Sequence, residues 1–271
     1  MCQLGVELMC QYRPVERLRR ALGKYALFGV TLFLITSGTA RASDWDFIIA
    51  PYILAPFIDG SASAGRIEAA GVNVDPVDIV EALNIGAMLH TEVQHVSGLG
   101  IALDYAFMDL GDSASLAGGA GAADIDIFQG IFEAYGTYRV MQSPQTLDLY
   151  AGIRWWDIDV DLTVSGGPIN ANLGTGDSWV DPVLGARGAF PIANSNWRLM
   201  LQGDIGGFGV GSDFSWNVQG GAAWDASDTF SLILQYRALG VDRETGTSGT
   251  PNRFVYDTVT HGPIVGFLFR I

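Results

Sequence analysis

Eight charged residues limit the chemistry open to this sequence: Glu92, Asp104, Glu133, Arg139, Arg154, Arg187, Asp204 and Arg237 each interrupt an otherwise alternating, largely apolar stretch. Carboxylates and guanidiniums placed in this way could be catalytic acids, the lining of a conducting channel, or a structural network. Charges withdrawn from water persist chiefly when paired, which favours the network. If Phe190 faces Leu199 across the turn at 193–195, Arg187 lies diagonal to Asp204, within pairing reach. His90, His95 and His261 follow no metal-ligand spacing, and His90 with Glu92 or Asp104 is the one combination that suggests acid–base work. With no second catalytic group beside it, the sequence assigns no catalytic residue and no cofactor-binding residue.

A second acidic group consists of Asp124 and Asp126 on one segment and Asp157, Asp159 and Asp161 on the next. Pairing Tyr138 with Leu149 puts Asp126 opposite Asp161, and Asp157 and Asp159 share that parity. Like charges facing each other destabilise a sheet unless something neutralises them, and hard oxygen ligands suit Ca²⁺ or Mg²⁺. The sequence therefore predicts a weak divalent-cation site at the rim, against the plainer reading of a solvated acidic edge. The run Gly206-Gly207-Phe208-Gly209-Val210-Gly211 superficially has phosphate-loop spacing. A dinucleotide loop needs a helix after it, whereas a strand pattern follows here, so the run reads as a tight turn needing positive φ.

The segments that hold these residues have a period of two. Trp197, Leu199, Leu201 and Ile205 alternate with Arg198, Met200, Gln202 and Asp204; Phe214, Trp216, Val218 and Trp224 with Ser215, Asn217, Gln219 and Asp225; Phe230, Leu232, Leu234 and Tyr236 with Ser231, Ile233, Gln235 and Arg237. A soluble barrel would cover its outside with Lys and Glu. Here one face is apolar with aromatics near the strand ends, and the other is Gly, Ser, Asn, Gln and single charges. That is the pattern of a closed antiparallel transmembrane β-barrel; a secreted sandwich or lipocalin-like barrel is the competing reading. Counting segments from position 46 gives about ten strands, with eight as the alternative, in one domain over 43–271. Short turns alternate with long stretches read as loops near 57–74, 165–177 and 242–252, and Asp75 followed by Pro76 predicts a short helix. Outward aromatics should form two rows, Tyr138, Phe190, Trp197, Trp224, Phe230, Phe267 and Phe269 near the turns, and Phe107, Phe128, Trp155, Trp179, Phe214 and Trp216 near the loops.

Arg13, Arg17, Arg19, Arg20 and Lys24, then an apolar run and Ala40-Arg41-Ala42, have the order of a secretory signal peptide over 1–42. Removing it takes both cysteines, Cys2 and Cys10. It also takes six of the 15 bases and two of the 29 acids, so 9 − 27 leaves a net charge of −18. Such a balance excludes nucleic acid as a partner.

The last strand ends Val265, Phe267, Phe269, Ile271, which resembles the terminal assembly signal of Gram-negative outer-membrane proteins, although those end in Phe or Trp. Trp179-Val180-Asp181-Pro182 and Gly203-Asp204-Ile205-Gly206-Gly207-Phe208-Gly209 are similar to motifs of a proteobacterial branch of the small outer-membrane β-barrel superfamily. The resemblance implies residence in the outer membrane, with membrane lipid, lipopolysaccharide and the barrel-assembly machinery as partners; it carries no activity with it. The reading is therefore a non-enzymatic barrel, structural or porin-like, with a mostly occluded charged lumen. The alternative is an outer-membrane enzyme, a protease or lipid-modifying protein, with its site near the outer rim.

Overall fold

Strands that alternate apolar and polar residues can satisfy every backbone group in a membrane only by closing on themselves, and this chain does so. The computed structural model describes residues 44–64, 70–115, 122–166, 169–248, 250 and 253–271; the expected signal peptide lies outside them. In chain order the elements are β1 Trp45–Leu54, β2 Phe57–Ala64, β3 Ala70–Val74, α1 Pro76–Ala82, β4 Leu83–His95, β5 Leu99–Ser115, β6 Ala122–Met141, β7 Thr146–Gly166, β8 Ile169–Pro191, β9 Trp197–Gly206, β10 Phe214–Asp225, β11 Phe230–Thr245 and β12 Phe254–Arg270. Each of β4 to β12 pairs antiparallel with the next, and β1 closes the wall between β12 and β4. The result is a ten-stranded barrel of β1 and β4 to β12, which excludes the eight-stranded alternative.

The register fixes the tilt. From Arg270 the pairs run through Ile48, Glu92, Ala102, Tyr135, Gly152, Val183, Gly206, Ser215 and Val241 back to β12 at Thr258, and 270 − 258 gives a stagger of twelve residues. Strand number and stagger together set strand tilt and barrel width. Ten strands leave a lumen narrow enough for side chains to fill.

Much of the three stretches read as loops is strand. Residues 57–64 and 70–74 pair as β2 and β3, with β2 continuing the line of β1 along the outer half of β12. Residues 169–177 extend β8, paired with β7 up to Gly166 opposite Ile169. β11 continues to Thr245, opposite Phe254. Their Gly, Ala and Asn content argues for loops, but pairing with an already fixed neighbour overrides that weak local preference. The short helix is present as α1, with Asp75 and Asp78 forming a capping box and Pro76 in its first turn.

Inward-facing side chains divide the lumen into two zones. In the outer half Ile131, Trp156, Ile158, Trp179, Leu239, Val241 and Phe254 pack into one buried cluster, with Tyr256 against it. Beside it Ile79 of α1 packs on Ile58, Met108 and Leu110. Trp179 therefore does not belong to the outer aromatic row: it shares parity with Asp181 and is only 5% exposed. The remaining aromatics follow the predicted sides. At the turn end Trp197 is opposite Trp224 and Phe230 opposite Phe269, while toward the outer end Phe107 lies 6.3 Å from Phe128.

Expressed from the full sequence, the protein should fractionate with the outer membrane and migrate faster unheated than boiled in detergent gels. Quantitative recovery in the soluble periplasmic fraction would contradict this closure.

Candidate functional site

In the half of the lumen nearer the short turns, the predicted charges meet. Arg154 on β7, fully buried, donates from Nε to Glu133 Oε1 of β6 at 2.5 Å and from Nη2 to Asp204 Oδ1 of β9 at 2.9 Å. Asp204 Oδ2 accepts from Asn217 Nδ2 of β10 at 3.0 Å, and Asn217 Oδ1 accepts from Arg237 Nε of β11 at 2.9 Å. Arg237 Nη2 reaches back across the lumen to Glu133 at 3.1 and 3.3 Å. These five side chains make a closed ring of hydrogen bonds through the barrel. Tyr150 donates to Asp204 at 2.8 Å, completing the carboxylate's partners.

A chain of contacts runs alongside the ring. Tyr52 donates to Asp104 Oδ1 at 2.8 Å; Asp104 Oδ2 is 3.2 Å from His90 Nδ1; His90 Nε2 is 3.6 Å from Glu92. Glu92 accepts from Arg187 Nη2 at 2.6 Å, and Arg187 and Arg139 converge on Asp148 at 2.8–3.2 Å. Beyond them Arg198 grips Asp225 with two bonds, 2.7 and 2.9 Å. A cavity of about 370 Å³ lies within this half, lined among others by His90, Glu92, Arg187, Arg198 and the carboxy-terminal Ile271.

All eight predicted lumen residues, Glu92, Asp104, Glu133, Arg139, Arg154, Arg187, Asp204 and Arg237, thus face inward and are paired. One expected pair is not made. Phe190 does face Leu199, but Arg187 stands directly opposite Asp148 on β7 and takes that carboxylate together with Glu92, while Asp204 is taken by Arg154. Asp148 was legible, since placing Tyr138 opposite Leu149 also sets Arg139 opposite Asp148. The tyrosines and Asn217 were not, because an uncharged polar residue on an inward face carries no sign of what it will meet across the lumen.

The two stretches that suggested a family resemblance interlock. Asp181 of β8 accepts from the Ser212 amide at 2.6 Å, the Ser212 hydroxyl at 2.9 Å and Trp156 Nε1 at 3.0 Å, and Ser212 Oγ accepts from Trp179 Nε1 at 2.7 Å. The 206–211 run is the turn that reaches this anchor. Gly207, Phe208 and Gly209 have φ of 84°, 52° and 73°, a left-handed backbone that glycine adopts without strain, and no phosphate loop is formed. Arg243 of β11 spans the gap left by the short β9 and β10, donating to Asp177 at 2.8 Å and to the Gly211 carbonyl, with its guanidinium 5.0 Å from the Trp179 ring. The apolar outer zone is thereby pinned from above.

At the rim, Asp126 is opposite Asp161 as predicted. The carboxylates lean apart, however. A Cβ built at Gly174 would stand 2.5 Å from Asp161 Oδ1 and one at Gly176 would collide with Asp159, both on β8, whereas Asp126 Oδ1 lies over Gly111 on β5. Bare glycines thus give each carboxylate room to turn from its neighbour. Among the described residues no three carboxylate, histidine or cysteine groups converge as a metal ion requires, so Asp124, Asp126, Asp157, Asp159 and Asp161 do not assemble the expected Ca²⁺ or Mg²⁺ ligand set.

This closed, tilted, outward-apolar structure has the fold of an outer-membrane β-barrel. Among solved structures it is similar to the outer-membrane protease OmpT of Escherichia coli, with TM-score 0.58 and 9% identity over 85% of this chain and 98% of that one. It is also similar to the translocator domain of the autotransporter NalP from Neisseria meningitidis, with TM-score 0.47 and 11% identity over 95% and 98%. No protein-family model matches the sequence, and comparison with curated proteins finds no match. At such identities the likeness is one of fold.

Arg154→Met should destabilise the barrel by about 3–5 kcal/mol, because it leaves Glu133 and Asp204 buried without their cation. Arg198→Met, which breaks a partly exposed pair, should cost about 1 kcal/mol or less. Urea unfolding in detergent micelles, followed by tryptophan fluorescence, measures both.

Proposed function

We propose that this protein is a structural barrel of the outer membrane whose lumen neither conducts nor catalyses. The observation that carries the reading is the order of the two zones: ions entering past the charged half meet the apolar cluster around Trp156, Trp179 and Phe254. A large apolar side chain contributes roughly 1.5–3 kcal/mol when buried, so opening a water path through seven of them costs far more than thermal energy. The ring through Glu133, Arg154, Asp204, Asn217 and Arg237 acts with the cluster as a cross-brace, tying walls that only side chains connect.

The catalytic alternative finds little support in the lumen. His90 has carboxylates at both ring nitrogens, and the nearby Tyr52 hydroxyl is held by Asp104 and not by the imidazole. A porin-like role finds little either, since the eight predicted lumen charges are each engaged by a partner of opposite sign. Outward exposure of Val265, Phe267 and Phe269 supports recognition of the last strand by the barrel-assembly machinery, and the apolar outer wall supports lipid and lipopolysaccharide as its surroundings.

Purified protein in planar bilayers should give no steady conductance, and Arg187→Ala and Asp204→Ala should stay closed because the outer cluster remains. The triple variant Trp156→Ala/Trp179→Ala/Phe254→Ala should conduct. Steady channels from the wild type would overturn the proposal.

A further inference from the structure

Between the two aromatic rows the outward face is apolar on strand after strand, and on β11 and β12 it is interrupted. Tyr236 shares outward parity with Leu232 and Leu234, and His261 shares it with Val265 and Phe267. His261 Nδ1 is 2.6 Å from the Tyr236 hydroxyl, and its Nε2 is 2.9 Å from Asp59 Oδ2 of β2. Phe57 stacks on the imidazole with centroids 5.3 Å apart and planes 14° off parallel. Ionisable groups on a lipid-facing wall are costly and are kept where they are paired and have a task.

The register gives their depth. β11 leaves the turn-side row at Phe230 and reaches the opposite row at Gly240, where the Trp216 indole covers the backbone. Tyr236 and the His261 partner Ala238 fall in the outer part of that span, and Asp59 pairs with Val259, which pairs with Gly240. The three side chains therefore descend from the outer interface into the outer leaflet. The wall is irregular at the same place: β1 and β2 are broken at Ala55-Pro56, and Gly262 and Pro263 lie across from the break. That break lets β2 leave the line of β4 and bring Phe57 and Asp59 against His261.

With Asp59 accepting the Nε2 proton, the Nδ1 lone pair faces the Tyr236 hydroxyl, which is the order of orienting acid, base and nucleophile. Tyr236 is 48% exposed, as open to lipid as its apolar wall neighbours Leu234 and Val265, so an acyl chain lying on the wall reaches its side chain. We propose that Tyr236, His261 and Asp59 form a lipid-facing catalytic site that cleaves acyl esters of outer-leaflet lipids, an activity separate from the closed lumen. His261 Nδ1 takes the phenol proton as Tyr236 Oη attacks the ester carbonyl carbon. The bond between the carbonyl carbon and the alkoxy oxygen breaks, leaving an acyl-tyrosine, and the departing alkoxide takes that proton from His261 and leaves as the alcohol. Water then adds to the acyl-tyrosine with His261 as base, the tyrosine oxygen recovers its proton, and the products are a fatty acid and a deacylated lipid.

Full-length barrel is reconstituted into phosphatidylethanolamine vesicles and, separately, into vesicles containing lipopolysaccharide, and released fatty acid is measured by mass spectrometry. Release from either lipid above a heat-denatured control supports the site, and the lipid that reacts identifies the ester. Tyr236→Phe and His261→Gln should lower release by roughly 100-fold or more, the scale of a lost nucleophile or base, with Asp59→Asn intermediate. Tyr236→Phe should keep the unheated gel mobility of the folded barrel. With p-nitrophenyl palmitate, the acid-quenched wild type should gain one palmitoyl group that Tyr236→Phe does not. No release from either lipid, or equal release by folded Tyr236→Phe, would overturn the proposal.

Discussion

Hydrocarbon offers no partner to a peptide group, and this one constraint organises the molecule. Every strand must be flanked on both sides, so β1 and β12 must meet, and the phenylalanine amide of Phe47 and the terminal Ile271 amide exchange bonds at 3.3 and 2.9 Å where they do. Closure of ten strands with a stagger of twelve then sets a lumen that side chains can bridge. Once it is that narrow, whatever points inward is removed from bulk water and must either pack or pair.

Both solutions are present, in separate zones. Toward the outer end the inward positions are apolar and form a core no different in kind from that of a soluble domain. Toward the turns they are charged, and Glu92, Asp104, Glu133, Asp148 and Asp204 are each met by a guanidinium, an imidazole, a hydroxyl or an amide. Breaking such a network is expensive because the surviving partner stays buried, which makes it a means of holding one register as much as a source of stability. Asp181 joins the zones: through Trp156 and Ser212 it ties the apolar cluster to the turn between β9 and β10.

The wall is uniform except at the break between β1 and β2, where β2 leaves β4. There an outward histidine is bracketed by an aspartate and a tyrosine, and on the inner side Ile79 of α1 packs on Ile58 of β2. Irregular backbone in a membrane wall is sustained only by such local compensation.

Period-two alternation determined the fold class, the strand parity and hence which charges face inward, because a pleated strand leaves a side chain only two directions. It also determined the hairpin registers of β6 with β7 and β8 with β9, since short turns allow little slippage. Strand ends were not legible: the Gly- and Asn-rich outer ends of β8 are held by β7 and have no strong preference of their own. Trp179 was misplaced only because its aromatic type was given more weight than the parity it shares with Asp181. The partners were decided by tertiary structure alone. Arg187 meets Glu92, 95 residues away, and Arg237 meets Glu133, 104 residues away, across a lumen whose width exists only after closure. Asp59 reaches His261 over 202 residues for the same reason, because the two strands become neighbours only when the barrel's first and last segments join.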